Sequence, residues 1–248
     1  MSGSAPGAGR LLVGTSGFAY KEWIGAFYPP GTKGADMLAH YATRFPSVEV
    51  NYTFQREPSE KTVTEWAART PEGFAFAIKA HRRISHHQRL VDTGEHLGRF
   101  CSKITPLGAK LGPVLVQCPP FLRFDRAALE DFLATSAEVA PTCRFALEFR
   151  HESWSCDEVY GALAAAGAAW VVSDTDEHDA PFVRAADNLT YVRLRKSGYD
   201  AATLAPWAAE LRAALDAGSD VAVYLKHEDS AAGTEMAALL ASLVERGA

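Results

Sequence analysis

The stretch FALEFRHESW, residues 145–154, decides the fold class because it joins an apolar strand to a cluster of charges. Side chains alternate between the two faces of a strand, so Leu147 and Phe149 share one face while Glu148 and Arg150 lie on the other. Ionisable groups are costly to bury without partners. In a closed barrel the apolar face packs outward against helices, and the charges meet other polar side chains at the C-terminal mouth.

Strands of this kind recur along the whole chain, with amphipathic helical segments between them. The alternation predicts a parallel sheet wrapped by helices. Eight units without a linker favour an α/β fold with one closed (β/α)₈ TIM-like barrel over 10–248, rather than an open doubly wound sheet or two domains. The predicted strands are 11–16, 48–54, 74–80, 112–118, 144–150, 169–175, 189–195 and 221–227.

Two segments depart from this pattern. Residues 1–9 are small and rich in Gly, Ala and Ser, which predicts a flexible N-terminal tail. Residues 176–188, DEHDAPFVRAADN, are polar, contain Pro181 and lack a helical apolar stripe, so the helix between strands 6 and 7 is expected to be short or missing.

Composition limits the function classes. The 248 residues are 48% hydrophobic and 22% charged, as expected for a globular protein with a sizeable core. The net charge of -5 argues against attraction of the whole surface to nucleic acid or anionic lipid. The four cysteines lack metal or disulfide spacing, and no apolar run reaches the roughly 18 residues that span a bilayer. We therefore expect a soluble, cytoplasmic protein without a membrane partner. The sequence does not determine its oligomeric state.

The alternation seen in 145–154 extends to six other strands and predicts a polar mouth. Its inward set carries five cations and three carboxylates, a net charge of +2 in a negative chain, together with the amides Asn51 and Gln117. Such a cavity would concentrate an anion, and guanidinium groups suit bidentate contact with phosphate or carboxylate. A set of ion pairs that only fixes the barrel register stays open as the alternative. The charged residues are Lys79, Arg150, Arg193, Arg195, Lys226, Glu49, Glu148 and Asp174.

Longer motifs resemble a known family. VGTSGFAYKEWIGAFYPP, VEVNYTF, FAFAIKAHRRISH, LGPVLVQCPP, ALEFRHESW and YLKHED together resemble the domain-of-unknown-function 72 family of bacterial and archaeal (β/α)₈ proteins. The resemblance implies a barrel of unestablished activity. Many relatives carry His-Gly where this chain has Arg195-Lys196, and Tyr where it has Gln55, so substrate details are expected to differ. The positions that the resemblance implicates are Gly14, Ser16, Gly17, Tyr20, Trp23, Glu49, Asn51, Phe54, Lys79, His86, Gln117, Pro119, Pro120, Glu148, Arg150, His151, Trp154, Asp174, Tyr191, Arg193 and Lys226.

We assign candidate roles within this set. Glu49, Glu148, Lys79 and Asp174 are the predicted catalytic residues, with Glu49 and Glu148 placed to act as acid and base on different sides of a ligand. Each carboxylate could instead stay ionised in an ion pair, and Lys79 could be a Schiff-base or proton-transfer lysine or only a salt-bridging one. The predicted substrate-binding residues are Asn51, Gln117, Arg150, His151, Arg193, Arg195, Lys226, Tyr20, Trp23 and His86.

The leading hypothesis is an enzyme that acts on a phosphorylated or carboxylated small molecule by acid/base chemistry, as a hydrolase, lyase or isomerase. No Walker A, GxGxxG or nucleophile-elbow motif names a cofactor. One alternative is a metal-assisted phosphodiester hydrolase that uses Glu148, Asp174 and a histidine around divalent ions, although no HxH or HExxH spacing supports it. The other is a non-catalytic nucleic-acid-binding barrel that uses Arg82 and Arg83 on the rim.

Overall fold

The structure is a computed structural model that describes residues 9–177, 182–183, 188–226 and 231–247. Most of the predicted N-terminal tail, 1–9, lies outside the described residues. Eight parallel strands form one sheet, and each coincides with a predicted strand to within a few residues. The strands are β1 Leu11–Thr15, β2 Ser47–Val50, β3 Ala75–Lys79, β4 Leu111–Gln117, β5 Phe145–Glu148, β6 Ala169–Asp174, β7 Leu189–Leu194 and β8 Asp220–Leu225.

The sheet closes almost completely. β1 pairs with β8, and the order then runs through β7, β6, β5, β4 and β3 to β2. A single parallel bridge between Ser16 and Glu49 joins β1 to β2. The pairing of β5 with β6 is limited to Ala146 with Ala169 and Leu147 with Trp170. The fold is therefore the predicted (β/α)₈ TIM-like barrel, with a short seam between β5 and β6.

Seven α-helices among the described residues cover the sheet. Ser59 and Asp125 cap the N-termini of two of them, because Ser59 accepts a hydrogen bond from Thr62 N and Asp125 accepts one from Ala128 N. Between β6 and β7 none of the described residues is helical, and 178–181 and 184–187 lie outside the described set. The helices are α1 Gly34–Tyr41, α2 Glu60–Ala68, α3 Gly94–Ile104, α4 Arg126–Val139, α5 Asp157–Ala165, α6 Ala201–Asp216 and α7 Ala232–Arg246.

Two apolar clusters confirm most of the predicted strand alternation. Val48, Phe76, Leu147 and Val192 belong to the outer cluster between the strands and the helices. The inner cluster fills the barrel with small and medium side chains below the polar mouth. It consists of Leu12, Ala75, Ala77, Leu115, Ala146, Ala169, Val171, Leu189, Tyr191, Ala222 and Tyr224.

The prediction was wrong for β6. Val171 lies in the inner cluster and Val172 in the outer cluster, so Ser173 points inward and Asp174 points outward. Asp174 is buried there, where it accepts a hydrogen bond from Tyr199 Oη (2.7 Å) and pairs with Lys196 Nζ (3.0 Å). Asp174 therefore supports the layer behind the strand and is not a mouth carboxylate.

Candidate functional site

The mouth of the barrel is built around Arg193, which lies between two carboxylates. Its Nη1 donates to Glu148 Oε2 (2.7 Å), and its Nε and Nη2 donate to Glu49 Oε2 (3.0 Å) and Oε1 (2.8 Å). All three side chains are almost fully buried, with at most 2% of their surface exposed. β2, β5 and β7 are thus tied together across the barrel by charge-assisted hydrogen bonds.

Glu49 has a complete set of partners inside the protein. Ser16 Oγ and Asn51 Nδ2 donate to its Oε1, and Tyr191 Oη donates to its Oε2. Burial alone would raise the pKa of Glu49, but Arg193 and these donors lower it below its usual range. Glu49 is therefore a buried, ionised anchor for Arg193, which favours the ion-pair alternative for this carboxylate over proton transfer.

Glu148 links this anchor to the solvent-accessible part of the mouth. Its Oε2 accepts from Gln117 Nε2 (2.8 Å), and its Oε1 accepts from Arg150 Nε (3.1 Å). Burial opposes ionisation, but Arg193 and Arg150 lower the pKa of Glu148 to about 2. At neutral pH this group is a carboxylate, so it cannot act as a general acid.

Lys79 is the predicted catalytic residue on β3. Burial, together with the nearby charge of Arg193, lowers its pKa to about 8. Its Nζ donates to Gln117 Oε1 (2.8 Å) and lies 4.1 Å from the centroid of the Phe54 ring. His86 lies on the other side of the Phe54 ring, in an edge-on contact with 4.9 Å between centroids. Burial and the charge of Lys79 lower the pKa of His86, which favours its neutral form. The end of β3 and the loop that follows it thus bring a protonated amine and an imidazole close to one another.

A cavity of about 800 Å³ opens beside this network, between the ends of β5, β6, β7 and β8. This volume lies within the range typical of small-molecule sites. Three cations line it, Arg150, Arg195 and Lys226. Its carboxylates are Glu148, Glu152, Asp176 and Glu177, of which Asp176 is occupied by the backbone N–H and hydroxyl of Ser197.

Arg195 differs from the other arginines of the mouth. Burial and the neighbouring Arg193 lower its pKa. Arg193 and Arg150 have carboxylate partners, whereas the Arg195 side chain forms no hydrogen bond or ion pair with any residue that the structure describes. It is thus a partly buried cation on a cavity wall.

The other predicted substrate-binding residues are divided between the cavity and the core. His151 lines the cavity, and its Nδ1 accepts from Ser153 N (3.1 Å). Tyr20 donates to Ser16 O, and burial raises its pKa to about 12. Trp23 is a correction: it is completely buried against the rings of Tyr20 and Phe27 and offers no surface to a ligand, because the first loop folds back over α1.

The described residues give no support to the metal-assisted alternative. They contain no group of three or more His, Cys, Asp or Glu side chains placed to hold a metal ion. Glu148 and Asp174 lie on opposite faces of the barrel wall, and two of the loop histidines, His178 and His227, fall outside the described set. Arg82 and Arg83 are exposed at the start of the π-helix Arg83–His87. Binding of nucleic acid through these two rim arginines stays a prediction. No described helix is long and apolar enough to cross a bilayer.

Sequence reasoning missed several residues that line the cavity, among them Ser173 and Trp170. The Ser173 hydroxyl is buried without a hydrogen-bond partner among the described residues, and Trp170 lies at the seam between β5 and β6. The only signal for Ser173 was the phase of the strand AWVVSD, which two adjacent valines obscure. No local sequence pattern predicts that the pairing of β5 with β6 ends at Trp170.

The comparisons with known proteins agree with this architecture. A family model described as "Protein of unknown function DUF72" matches residues 12–248. The chain belongs to the DUF72 family. It is 29% identical over 175 residues to the UPF0759 protein YunF of Bacillus subtilis (strain 168), covering 67% of this chain and 61% of that protein. It is 26% identical over 109 residues to the UPF0759 protein YecE of Escherichia coli (strain K12), covering 44% and 38%.

Solved DUF72 structures share the fold. A DUF72 family protein from Thermotoga maritima MSB8 superposes with a TM-score of 0.75 at 25% identity and covers 95% of this chain and 99% of that one. One from Enterococcus faecalis V583 gives a TM-score of 0.77 at 18% identity, with 95% of each chain covered, which shows the fold alone. This chain spans less than two thirds of the length of the curated relatives YunF and YecE.

Proposed function

We propose that this DUF72 barrel is an enzyme that binds a phosphorylated or carboxylated organic substrate in the mouth cavity and acts on it by proton transfer. The observation that carries the proposal is Arg195, a partly buried guanidinium without a partner in the described protein. Desolvating a charge is costly unless a counter-charge compensates. An anionic group in the cavity would supply that counter-charge and accept a bidentate hydrogen bond.

The other cations of the mouth have different tasks. Arg150 and Lys226 line the same cavity and add positive potential around the anion. Arg193 was expected to contact the anion, but its donors are used by Glu49 and Glu148, so we assign it to holding the frame. With Asp174 on the outer face, the inward strand positions retain five cations against two carboxylates. The cavity lining itself carries three cations and four carboxylates, because the loop residues Glu152, Asp176 and Glu177 join Glu148, so the attraction for an anion is local to Arg195.

Proton transfer is assigned to Lys79. Its pKa of about 8 leaves most of the amine protonated at neutral pH but makes it a better acid than an ordinary lysine. Two hydrogen bonds of 2.8 Å, from Lys79 Nζ to Gln117 Oε1 and from Gln117 Nε2 to Glu148 Oε2, hold Lys79 behind the cavity wall. Lys79 does not itself line the cavity, so the assignment requires a ligand that extends from the cavity past Glu148 toward the centre of the mouth. The carboxylate of Glu148 partly compensates the positive charge of Lys79 and so opposes the lowering of its pKa.

Anion binding is tested by thermal unfolding with a panel of phosphates and carboxylates. A ligand at 100 times its Kd should raise the free energy of unfolding by about 2.7 kcal/mol, which shifts the Tm of a chain of this size by about 5–10 °C. Arg195→Ala should remove the shift. Arg44→Ala is the matched control, because Arg44 is exposed between α1 and β2, at the opposite end of the barrel. A shift that persists in Arg195→Ala, or no shift with any anion, contradicts the proposal.

Catalysis is tested by screening the anions that bind for chemical conversion. Lys79→Met should abolish turnover while leaving the Arg195-dependent Tm shift in place, because methionine keeps the length of the side chain without its proton. Binding without conversion across the panel would contradict the enzyme assignment and leave an anion-binding barrel.

A further inference from the structure

The mouth cavity continues into the wall of the barrel. Pairing of β5 with β6 ends at Leu147 and Trp170, yet β6 runs on to Asp174. Glu148 and Val171, which face inward, line the cavity together with Phe149 and Trp170, which face outward. The cavity reaches Phe149 and Trp170 where β5 has ended and the two strands no longer pair. The seam between β5 and β6 is therefore a slot open to the mouth.

Aromatic rings fix the shape of this slot. Phe149 stacks on Trp154 with 4.0 Å between centroids and an angle of 9° between planes. Trp170 contacts Phe149 at 5.5 Å and has the edge of Tyr160 against it at 5.1 Å. Trp154 in turn donates from Nε1 to Leu122 O. The walls of the slot are thus held in place before any ligand arrives, which lowers the entropic cost of binding a flat group.

A polar group without a partner lies in the same slot. The Ser173 hydroxyl is buried and has no hydrogen-bond partner in the described part of the chain, and Ser173 lines the cavity. An unsatisfied buried hydroxyl costs about 1–3 kcal/mol by general estimates, so a ligand that bonds to it gains affinity. Ser173 pairs in register with Arg193, and Arg195 lies two residues further toward the mouth, about 7 Å along the strand.

We propose that the ligand of this cavity is a planar ring that carries a phosphate or carboxylate. The ring lies in the slot against Trp170 and Phe149, a polar substituent bonds to Ser173, and the anionic group contacts Arg195. This inference rests on the proposed function, because it uses Arg195 as the anion contact. It goes further in naming the ligand class: an aryl phosphate, an aromatic acid or a nucleoside monophosphate meets the description, whereas an open-chain or sugar phosphate does not.

The experiment measures dissociation constants by calorimetry for two matched pairs of probes: phenyl phosphate against inorganic phosphate, and AMP against ribose 5-phosphate. The probe with the ring should bind about tenfold or more tightly in at least one pair, the gain expected of an aromatic platform. Trp170→Ala should remove that gain while leaving inorganic phosphate unaffected. Trp207→Ala is the control, since Trp207 is a partly buried tryptophan on α6 that does not line the cavity.

The outcomes separate the two proposals. If anions bind through Arg195 but the ring adds nothing in either pair, this inference is overturned and the proposed function stands. If no probe binds, both fail. Should Trp170→Ala not fold, Trp170→Phe retains an aromatic wall. It should keep the affinity and weaken the quenching of tryptophan fluorescence that the ring-bearing probe causes in the wild type, because Trp154 behind Phe149 is then the tryptophan left beside the slot. Quenching that is undiminished in Trp170→Phe contradicts the placement of the ring.

Discussion

Replacement of Arg193 by methionine should destabilise the protein severely. Methionine preserves an unbranched apolar stem but leaves Glu49 and Glu148 buried without the cation that holds them. Three hydrogen bonds of 2.7–3.0 Å are lost at once, from a group that is 2% exposed to carboxylates that are 0% and 1% exposed. Removing one partner of a buried ion pair typically costs about 3–5 kcal/mol. Here one change removes the cation that two carboxylates share, although Glu148 keeps Arg150 Nε (3.1 Å), so we expect a loss within that range.

The pH dependence of this effect follows from the pKa values of Glu148 and Glu49. In the wild type Arg193 and Arg150 lower the pKa of Glu148 to about 2, so the carboxylate contributes stability that is present above its unfolded pKa and is lost as the pH falls toward 2. In Arg193→Met, Glu49 loses the cation that lowers its pKa, so burial raises that pKa above the unfolded value, whereas Arg150 still lowers the pKa of Glu148. Protonation then stabilises the variant, and the difference in free energy of unfolding between the two proteins should narrow as the pH is lowered from 7 to about 4.

Chemical denaturation at several pH values measures both effects, with Arg44→Met as the control for loss of an exposed arginine. The triple variant Arg193→Met, Glu49→Gln, Glu148→Gln should recover much of the lost stability, because it no longer buries uncompensated charge. A loss below about 1 kcal/mol in Arg193→Met, or a difference from the wild type that does not depend on pH, would refute the assignment of Arg193 as the central ion-pair partner.

Three further predictions follow from the site. Ser173→Ala should raise the Tm of the ligand-free protein by about 2–4 °C, because it removes an unpaired buried hydroxyl, and should weaken binding of AMP; an unchanged Tm in thermal unfolding would count against the orphan hydroxyl. Turnover should fall as the pH rises through about 8, where Lys79 loses its proton, and a pH–rate profile that rises there would reverse its role. Asp174→Asn should lower stability by about 1–2 kcal/mol through Tyr199 and Lys196 yet leave anion affinity unchanged; a loss of affinity in calorimetry would restore Asp174 to the mouth.

Much of the architecture was predictable because alternation along a strand is a local property. In 145–154 the large apolar residues and the charges fall on opposite faces, and β5 adopts that phase. The same reasoning placed Lys79 and Glu49 inside the barrel correctly. Phe149 continues the outward phase of β5 and stacks on the buried Trp154 in the outer layer.

The errors come from places where partners are distant in sequence. The phase of β6 is ambiguous because Val171 and Val172 are both apolar, and the residues that satisfy Asp174 outside the barrel arrive only after β7. Whether a charge in the mouth is free or paired also depends on contacts between strands. Arg193 and Arg195 share a face and differ by two residues, yet only Arg193 meets carboxylates. No local pattern distinguishes them.

Contact between Arg195 and the anion of a ligand in the mouth cavity can be seen in a crystal structure of the protein soaked with 4-bromophenyl phosphate, since the anomalous signal of bromine locates the ring independently of the phosphate. We expect phosphate oxygens within about 3 Å of the Arg195 guanidinium and the bromophenyl ring between β5 and β6, beside Trp170. Phosphate bound elsewhere, with the guanidinium of Arg195 in contact with water alone, would contradict it.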